Sequence, residues 1–467
     1  MNEAEPARPE QVAPPEREPP ETARVLATTA LAIFSSSLFV RAVDPVIPQI
    51  AGDLALDTGT VALLSTAFAL PYALVQPVLG ALADTVGKAR LISTAIATSA
   101  LAGAIGAVAP NFSVLLASRI LAGVVAGGVF PIALALAGDL VPVARRQVAI
   151  GRLLAAAMLG NLLGSPFAGM VGDVIGWRGV FALVTLVALI AFAAALIGFR
   201  GMTVDRRWRF DPAAVGTGFR TILRNPLTKV CFTAVLLEGI CVFGLFPYVA
   251  AFLVARGEER AIIAGLVIAG FGIGGIIYSF AVSALLGRLG EQRMMLGGGV
   301  TLAAALLIIA LGLPWPIECL AFTMLGLGFY SLHGVIQIYS TELAPQSRGL
   351  AMSLHSSFFF LGQALGPIAY RYGLASIGLV GTNASAVAML LVGFMCARYL
   401  RRGRPGEVKT SRRPRVVSVT LPPHSVLSTQ HIDNFALPTP PETARANFPP
   451  PPSTISTGGQ GTNAHVA

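Results

Sequence analysis

Charged residues are scarce in this chain. Asp, Glu, Lys and Arg together make up 12% of its 467 residues, whereas they make up about 25% of an ordinary soluble domain. The 54% of residues that are hydrophobic fall into separate runs, and most runs are long enough to cross a hydrocarbon core of roughly 30 Å. The composition therefore excludes an ordinary soluble protein and predicts an integral membrane protein.

Cysteines and the common catalytic motifs are scarce as well. The four cysteines lie mostly inside apolar runs, without the spacing of a disulfide framework or a metal site; they are Cys231, Cys241, Cys319 and Cys396. We find no nucleotide-binding loop, no metal cluster and no nucleophile–base constellation. We therefore expect no cofactor, no metal, no use of ATP and no enzymatic activity.

The positive charge is distributed in a way that indicates topology. The net charge is +10, and the basic residues recur in alternate loops, as with Lys88 and Arg90, then Arg145 and Arg146, then Arg401 and Arg402. The intervening loops carry few basic residues. This asymmetry predicts that the basic loops and both termini face the cytoplasm of a bacterial-type plasma (inner) membrane, and that nucleic acid is not a partner.

The apolar runs predict twelve helical spans. Helices are expected because a backbone exposed to lipid must satisfy its own hydrogen bonds, and the alternation of a barrel strand is absent. The expected spans are 25–47, 59–83, 90–110, 113–138, 147–172, 178–199, 229–255, 262–286, 294–312, 317–341, 349–372 and 376–398.

The spans divide the chain into five parts. Residues 24–199 and 229–400 form two bundles of six helices, joined by a cytoplasmic linker at 200–228 in which 219–223 could lie along the membrane surface. Residues 1–23 and 401–467 are rich in Pro, Ser and Thr, and we expect them to be disordered cytoplasmic tails.

The two bundles repeat each other at an offset of about 203 residues. Asp139 to Arg145 returns as Glu342 to Arg348, and a glycine motif at 159–164 returns at 361–366. All matches run in the same direction, so the halves are parallel copies of one membrane unit. Parallel repeats are the architecture of transporters that open alternately to the two sides of a membrane.

The loop after the second span carries small residues and cations at a tight turn. Its residues Gly80, Asp84, Gly87, Lys88 and Arg90 resemble a loop signature of the major facilitator superfamily. In that family the Asp84 position helps to latch the two halves together. The second copy keeps Arg288, Gly290 and Arg293 but has Gly287 opposite Asp84. An ordinary positive-inside turn would explain the cations, but not the two glycines and Asp84 together.

The fifth span holds a series of small residues that lets another helix approach. It contains Gly151, Gly160, Gly164, Pro166 and Gly169. This series resembles the antiporter signature of the drug:proton antiporter branch of the same superfamily, a row of glycines that ends in Gly-Pro, although here Ser165 separates Gly164 from Pro166. The resemblance implies export. A simple packing face is the alternative.

Four charged residues fall inside spans, where an unpaired charge is costly. Arg41 and Asp44 are three residues apart and can pair on one helix face. Arg119 lies in an Arg-x-x-x-Gly motif that resembles a second family signature, linked to proton coupling, with Ala122 in place of the usual Gln. Asp44 is the first candidate for the carboxylate that carries a proton, and Glu238 is the second. The alternative for Arg41 and Asp44 is a structural ion pair near the interface. The alternative for Arg119 is a side chain that snorkels to the interface, and that for Glu238 is a hydrogen-bonded structural carboxylate.

Three further polar residues in the second half could line the transport path. His333 and His355 fall in the tenth and eleventh spans, and Tyr330 lies near His333. A lone intramembrane histidine can equally be a packed, hydrogen-bonded residue of the core.

The resemblance to the major facilitator superfamily covers residues 24–400. It implies two bundles around a central cavity, and proton-driven efflux of a small amphipathic, drug-like or sugar-like compound. We expect a monomer in the lipid bilayer. One alternative is uptake of a sugar or organic acid by proton symport. Another is a transport-inactive sensor or scaffold that signals through the C-terminal tail.

Overall fold

The computed structural model of the chain describes residues 19–202, 212–378 and 381–400. The tails, apart from residues 19–23, and the middle of the linker lie outside these ranges. All the regular elements within them are helical. The first helix begins at Pro20, four residues before the predicted start of the bundle at residue 24.

The N-terminal half contains seven helices. They are α1 (Pro20–Arg41), α2 (Ile47–Asp53), α3 (Thr58–Val86), α4 (Lys88–Ala107), α5 (Phe112–Leu140), α6 (Val143–Ile175) and α7 (Trp177–Gly198). A 3₁₀ turn at Asp44–Val46 connects α1 to α2, so the first span is bent where Pro45 and Pro48 interrupt the regular backbone hydrogen bonds.

The linker and the C-terminal half contribute the other helices. They are α8 (Pro212–Arg224) in the linker, then α9 (Leu227–Cys241), α10 (Val249–Val254), α11 (Ala261–Ala310), α12 (Trp315–Thr341), α13 (Arg348–Ile377) and α14 (Gly381–Tyr399). A second 3₁₀ turn, Phe243–Tyr248, joins α9 to α10. It is the counterpart of the turn at Asp44 in the first half.

The described residues account for twelve crossings, six in each half. Ten stretches are long and apolar enough to cross a membrane. One of them, α11, has 50 residues, which at 1.5 Å per residue is roughly 75 Å and too long for one crossing. Gly290 breaks it with φ 71° and ψ 165°, a backbone conformation that glycine adopts readily. The α11 helix is therefore long enough for two crossings. The α13 helix has 30 residues and is not among the ten stretches, but it occupies the place in the repeat that α6 has in the first half, and counting it gives the predicted twelve.

Several helices extend beyond the predicted spans or begin after them, by up to five residues. No loop separates the predicted spans 262–286 and 294–312, because Gly290 alone makes the turn between them. The last span begins at Gly381 rather than 376, because α13 continues to Ile377. Gly87 makes the corresponding turn in the first half, with φ 102° between α3 and α4, as the loop signature implied.

Each half has its own hydrophobic core, and the halves meet where α3 packs against α13 and α6 against α11. At the second contact the backbones touch, because Gly169 packs on the Ala261 carbonyl and Gly265 on that of Ser165. We call the end of the molecule with residues 53–57 and 255–260 the Asp57 end, and the opposite end, with Lys88 and Glu342, the Lys88 end.

The Asp57 end is closed by polar contacts between the halves. The Asp173 carboxylate on α6 accepts hydrogen bonds from the backbone N–H groups of Ala261, at 2.7 Å, and Ile262, at 2.9 Å. Arg371 on α13 donates to Thr60 Oγ1 at 3.1 Å and lies 3.5 Å from the Asp57 carboxylate. The 3₁₀ turns of the two halves also contact each other.

Candidate functional site

The first cluster, the arginine cluster, consists of Arg41, Asp44, Ser65, Arg119 and Gln363. Asp44 is only 1% exposed, since the turn after α1 directs it inward. Its Oδ1 accepts a hydrogen bond from Ser65 at 2.9 Å, and its Oδ2 lies 3.5 Å from Nη1 of Arg41. The structure thus places the pair Arg41 and Asp44 inside the protein.

Arg41 contacts both halves. Its Nη2 donates to Gln363 Oε1 on α13 at 2.8 Å. Its guanidinium carbon lies 4.7 Å and 4.6 Å from the ring centres of Phe243 and Phe246 in the second half, a distance at which a cation is attracted to an aromatic face. The side chain therefore bridges the halves close to the level of Asp44.

Arg119 is buried among α1, α3 and α5 and does not snorkel. Nη1 donates to the Phe39 carbonyl at 3.2 Å, and Nε lies 3.5 Å from the carbonyl of Leu64. The guanidinium also stacks over Phe68 at 4.5 Å, and its charge interacts with those of Asp44 and Arg41. Backbone carbonyls therefore replace water around a cation that cannot neutralise itself by losing a proton.

The second cluster, the histidine cluster, consists of Glu238, His333, His355 and Ser340. Glu238 on α9 is fully buried, and its Oε2 lies 2.7 Å from Nδ1 of His333 on α12. Glu238 Oε1 has no hydrogen-bond partner in the described structure. The sequence indicated Glu238 and His333 separately, but their contact joins two helices and no local pattern encodes it.

His355 extends this cluster toward the Lys88 end. Its ring centre lies 5.1 Å from that of His333, and its Nδ1 lies 2.9 Å from the Ser340 hydroxyl. Phe329 stacks on His333 with ring centres 4.6 Å apart. Tyr330 points away from this pair, toward Tyr278 and Phe271. The two histidines therefore lie together, and the ring contacts of Tyr330 are with Tyr278, Phe271 and Phe329 instead.

The loop signature has a partner that the sequence analysis missed. Lys88 Nζ lies 2.6 Å from the Asp139 carboxylate at the end of α5, so this contact stays within the first half. In the second half Arg348 pairs with Glu342 at 3.1 Å, both exposed, while Arg288 and Arg293 are exposed. The side chain of Asp84 lies outside the described residues, so its latch role stays a prediction.

The glycines of α6 do not serve one partner. Gly160 and Gly164 pack on backbone atoms of α1, at Phe34 and Leu38, whereas Gly169 packs on Ala261 in the other half. Gly151 has no neighbour within 4 Å of an added Cβ, so it takes no part in the packing. The helix meets α1 first and α11 nearer the Asp57 end, so its glycines serve contacts with two different helices.

Two polar residues at the contact of the halves escaped the sequence analysis. Gln363 occupies the place in the repeat that Asn161 has in the first half, and a polar residue in a span was a signal that could have been followed. Asp173 stands just before the Gly176 turn and looks like a loop residue in sequence. Only the fold brings it to the start of α11.

A chain of two parallel six-helix repeats, with buried charges where they meet, is a transporter by architecture. The family model of the Major Facilitator Superfamily matches residues 29–314 and 259–439. The chain therefore belongs to the major facilitator superfamily, whose members are membrane transporters and not enzymes.

Similar proteins fall in the same family. The chain is 26% identical over 348 residues to the quinolone resistance protein NorA of Staphylococcus aureus, covering 72% of this chain and 86% of NorA. It is 24% identical over 390 residues to a probable sugar efflux transporter of Helicobacter pylori, covering 79% and 95%. It is 25% identical over 351 residues to the uncharacterized MFS-type transporter YfhI of Bacillus subtilis, covering 74% and 86%.

A solved structure has the same fold. A bacterial homologue of the human lysosomal transporter Spinster matches with a TM-score of 0.59 and 18% identity, over 82% of this chain and 95% of that one.

Proposed function

We propose that the chain is a proton-coupled antiporter that exports a small amphipathic compound, drug-like or sugar-like, by alternating access. The observation that carries the proposal is the buried carboxylate of Asp44, held beside Arg41 and Arg119 at the meeting point of the halves. An intramembrane charge is energetically costly, so its presence in such a place favours a functional role. The names of two relatives, a quinolone resistance protein and a probable sugar efflux transporter, support export.

The closed Asp57 end suggests the direction of access in this state. Asp173, Arg371 and the two 3₁₀ turns hold the halves together there. Cargo would enter from the Lys88 end, which the positive-inside asymmetry assigns to the cytoplasm. Export then requires a second state in which the contacts at the Asp57 end separate.

Two carboxylates are proposed to carry the proton. Asp44 lies next to two arginines, so gain or loss of its proton changes the net charge at the contact of the halves. Glu238 faces His333 and has no arginine or lysine partner in the described structure, so a proton can be shared within that pair. The histidine cluster would connect Glu238 with the Lys88 end.

The proposal is tested by export assays with Asp44→Asn and Glu238→Gln, each with and without an uncoupler. We expect the uncoupler to abolish uphill export by the wild type, and each substitution to reduce it by tenfold or more. Asp53→Asn is the matched control, since Asp53 is an exposed carboxylate that bonds only within the first half, to Trp177 and Arg178. Export that ignores the uncoupler and both substitutions would refute the mechanism.

The alternatives give different results in the same preparations. A proton symporter would accumulate its compound in vesicles of the cellular orientation rather than in inverted ones. A tail-dependent scaffold would lose its function when residues 405–467 are deleted, whereas an exporter would largely retain it. Reporter fusions at each terminus would test the proposed cytoplasmic location of both.

A further inference from the structure

Among the described residues, Glu238 meets water only through a neighbour. Its side chain is 0% exposed, and Oε1 is buried without a hydrogen-bond partner. The other oxygen, Oε2, lies 2.7 Å from Nδ1 of His333. The side chain of His333 is 14% exposed. A proton that leaves or reaches Glu238 at Oε2 therefore meets His333 before it meets water.

The other titratable groups around Glu238 do not lead to water. Ser340, which bonds to one of these groups, is buried, and Glu238 interacts with another across α14. All of them are buried; they are His355 on α13, Cys396 on α14 and Cys231 on α9. Within the described part of the chain, His333 is thus the titratable neighbour of Glu238 that has an exposed edge.

His333 lies on the side of the second half that faces the first half. Phe359 packs on it with ring centres 5.0 Å apart. The next residue, Phe360, stacks on Tyr72 of α3, in the first half, with ring centres 3.8 Å apart. The exposed edge of His333 is therefore close to the space between the halves, where an alternating-access transporter has its cavity.

Aromatic rings separate His333 from the arginine cluster. Phe359 also packs edge-on against Phe243 at 5.1 Å, and Phe243 lies 4.7 Å from the guanidinium of Arg41. Phenyl rings neither accept nor donate a proton. The route from Glu238 therefore does not run through the arginine cluster, and the two carboxylates exchange their protons separately.

We propose that His333 is the proton-transfer residue of Glu238: it passes the proton between this buried carboxylate and the water between the halves. The inference rests on the proposed antiport. In unloading, Oε2–H of Glu238 gives its proton to Nδ1 of a neutral His333, and Nε2 gives its own proton to water. The products are a carboxylate, a neutral imidazole and a hydronium ion. Loading reverses both steps and restores the first tautomer of the ring.

The direction of this transfer agrees with export. The contacts of Asp173 and Arg371 close the Asp57 end, so water at His333 communicates with the Lys88 end. Proton-driven export requires the proton to leave on that side, where cargo enters. When the Asp57 end opens instead, the same edge of His333 meets water from the other side, and Glu238 is loaded again.

The test measures hydrogen–deuterium exchange at the carboxyl group of Glu238 and needs no transport substrate. The purified full-length protein in lipid nanodiscs is transferred to heavy water over a range of pH. Infrared spectroscopy follows the shift of the C=O stretching band of the protonated carboxyl with time. Glu238→Gln removes this band and so assigns it.

His333→Asn separates the hydrogen bond from the proton transfer. The amide of Asn reaches the place of Nδ1 and can keep a bond to Glu238, but it does not pass a proton on. A positioned proton-transfer group contributes about 10²–10⁴-fold to a rate, so we expect exchange to slow at least tenfold. The matched control is Ser331→Ala, which removes the hydrogen bond to the Leu327 carbonyl on the same helix and should leave the rate unchanged.

Chemical rescue distinguishes proton transfer from support of the structure. His333→Ala leaves space for a small ring, and we expect added imidazole to restore rapid exchange. The 1,3-dimethylimidazolium ion has no N–H proton and should not restore it. A loss of folding in His333→Ala would leave His333→Asn as the deciding variant.

Exchange at the wild-type rate in His333→Asn overturns the inference, as does equal slowing in Ser331→Ala or a folded His333→Ala that imidazole does not rescue. These results would leave proton-coupled export intact. Absence of a Glu238 band at every pH would instead show that Glu238 carries no proton, and would refute its place in the proposed antiport together with the inference.

Discussion

Asp173 holds the Asp57 end closed, and its removal should open that end. Its two oxygens bond to the first two N–H groups of α11, so one side chain caps a helix of the other half. The residue before α11, Arg260, supplies no side-chain cap. The cap is therefore lost when the halves separate, and Asp173→Ala removes a contact that exists only in the closed state.

The magnitude follows from the nature of the contact. Loss of a capping side chain costs about 0.5–2 kcal/mol, and Asp173 is exposed, so water compensates part of the loss in the open state. We take roughly 0.5–1.5 kcal/mol, which corresponds to a change of about 2- to 13-fold in the ratio of open to closed molecules. Asp173→Asn keeps one acceptor oxygen and should give a smaller change.

The assay is a spin–spin distance measurement across the Asp57 end in lipid nanodiscs, without substrate. Gly52 and Glu259 are exposed there, one in each half, and are suitable sites for labelled cysteines. We expect Asp173→Ala to increase the population with the longer distance. Asp53→Ala, which breaks bonds within the first half, should leave the distances unchanged. Equal distance distributions in Asp173→Ala and the wild type would refute the reasoning.

Two further predictions concern the same end. The pKa of Asp57 lies below its ordinary value, chiefly because the Thr60 side chain donates a hydrogen bond to it. A carboxyl whose pKa is depressed in the folded state stabilises that state fully at pH values above its ordinary pKa of about 3.9, and this stabilisation is lost as the pH falls further. The contact between Asp57 and Arg371 should therefore keep the Asp57 end closed to the same extent from pH 7 to pH 5. The measurement uses the double variant Glu238→Gln, Asp44→Asn, which removes the two proposed proton-carrying carboxylates, and spin-label distances that vary with pH in this variant would contradict the prediction. Gly169→Ala places a Cβ against the Ala261 backbone, so it should open the Asp57 end and reduce export at least tenfold. Gly151→Ala lies in open space on the same helix; it should leave export unchanged and stabilise the helix by about 0.5–1 kcal/mol. Thermal unfolding and export of the two variants, measured together, check this pair.

The fold could be predicted because its determinants are local. Span length and loop charge are properties of single stretches of sequence, and the repeat is found by comparing two such stretches. The helical fold of two repeated halves is confirmed. Arg41 and Asp44 could also be paired from sequence, since they are three residues apart on one chain segment.

The rest of the site depends on contacts between distant segments. Glu238 and His333 are 95 residues apart, and Arg41 and Gln363 are 322 apart, so neither contact has a local signature. Gln363 was overlooked because an amide in an apolar run carries no charge to attract attention. The break at Gly290 was taken for a loop because the charged residues around it resemble one.

Gly87 and Gly290 have a consequence for how the helices can move. Each is the single residue between two crossings, with positive φ in both cases, and the two occupy equivalent places in the repeat. One crossing of each pair, α3 or the first part of α11, belongs to the contact between the halves. A connection of one residue cannot lengthen, so such a crossing cannot move along its own axis unless the neighbouring crossing moves with it. Relative movement within each pair is reduced to rotation about the backbone dihedral angles of one glycine.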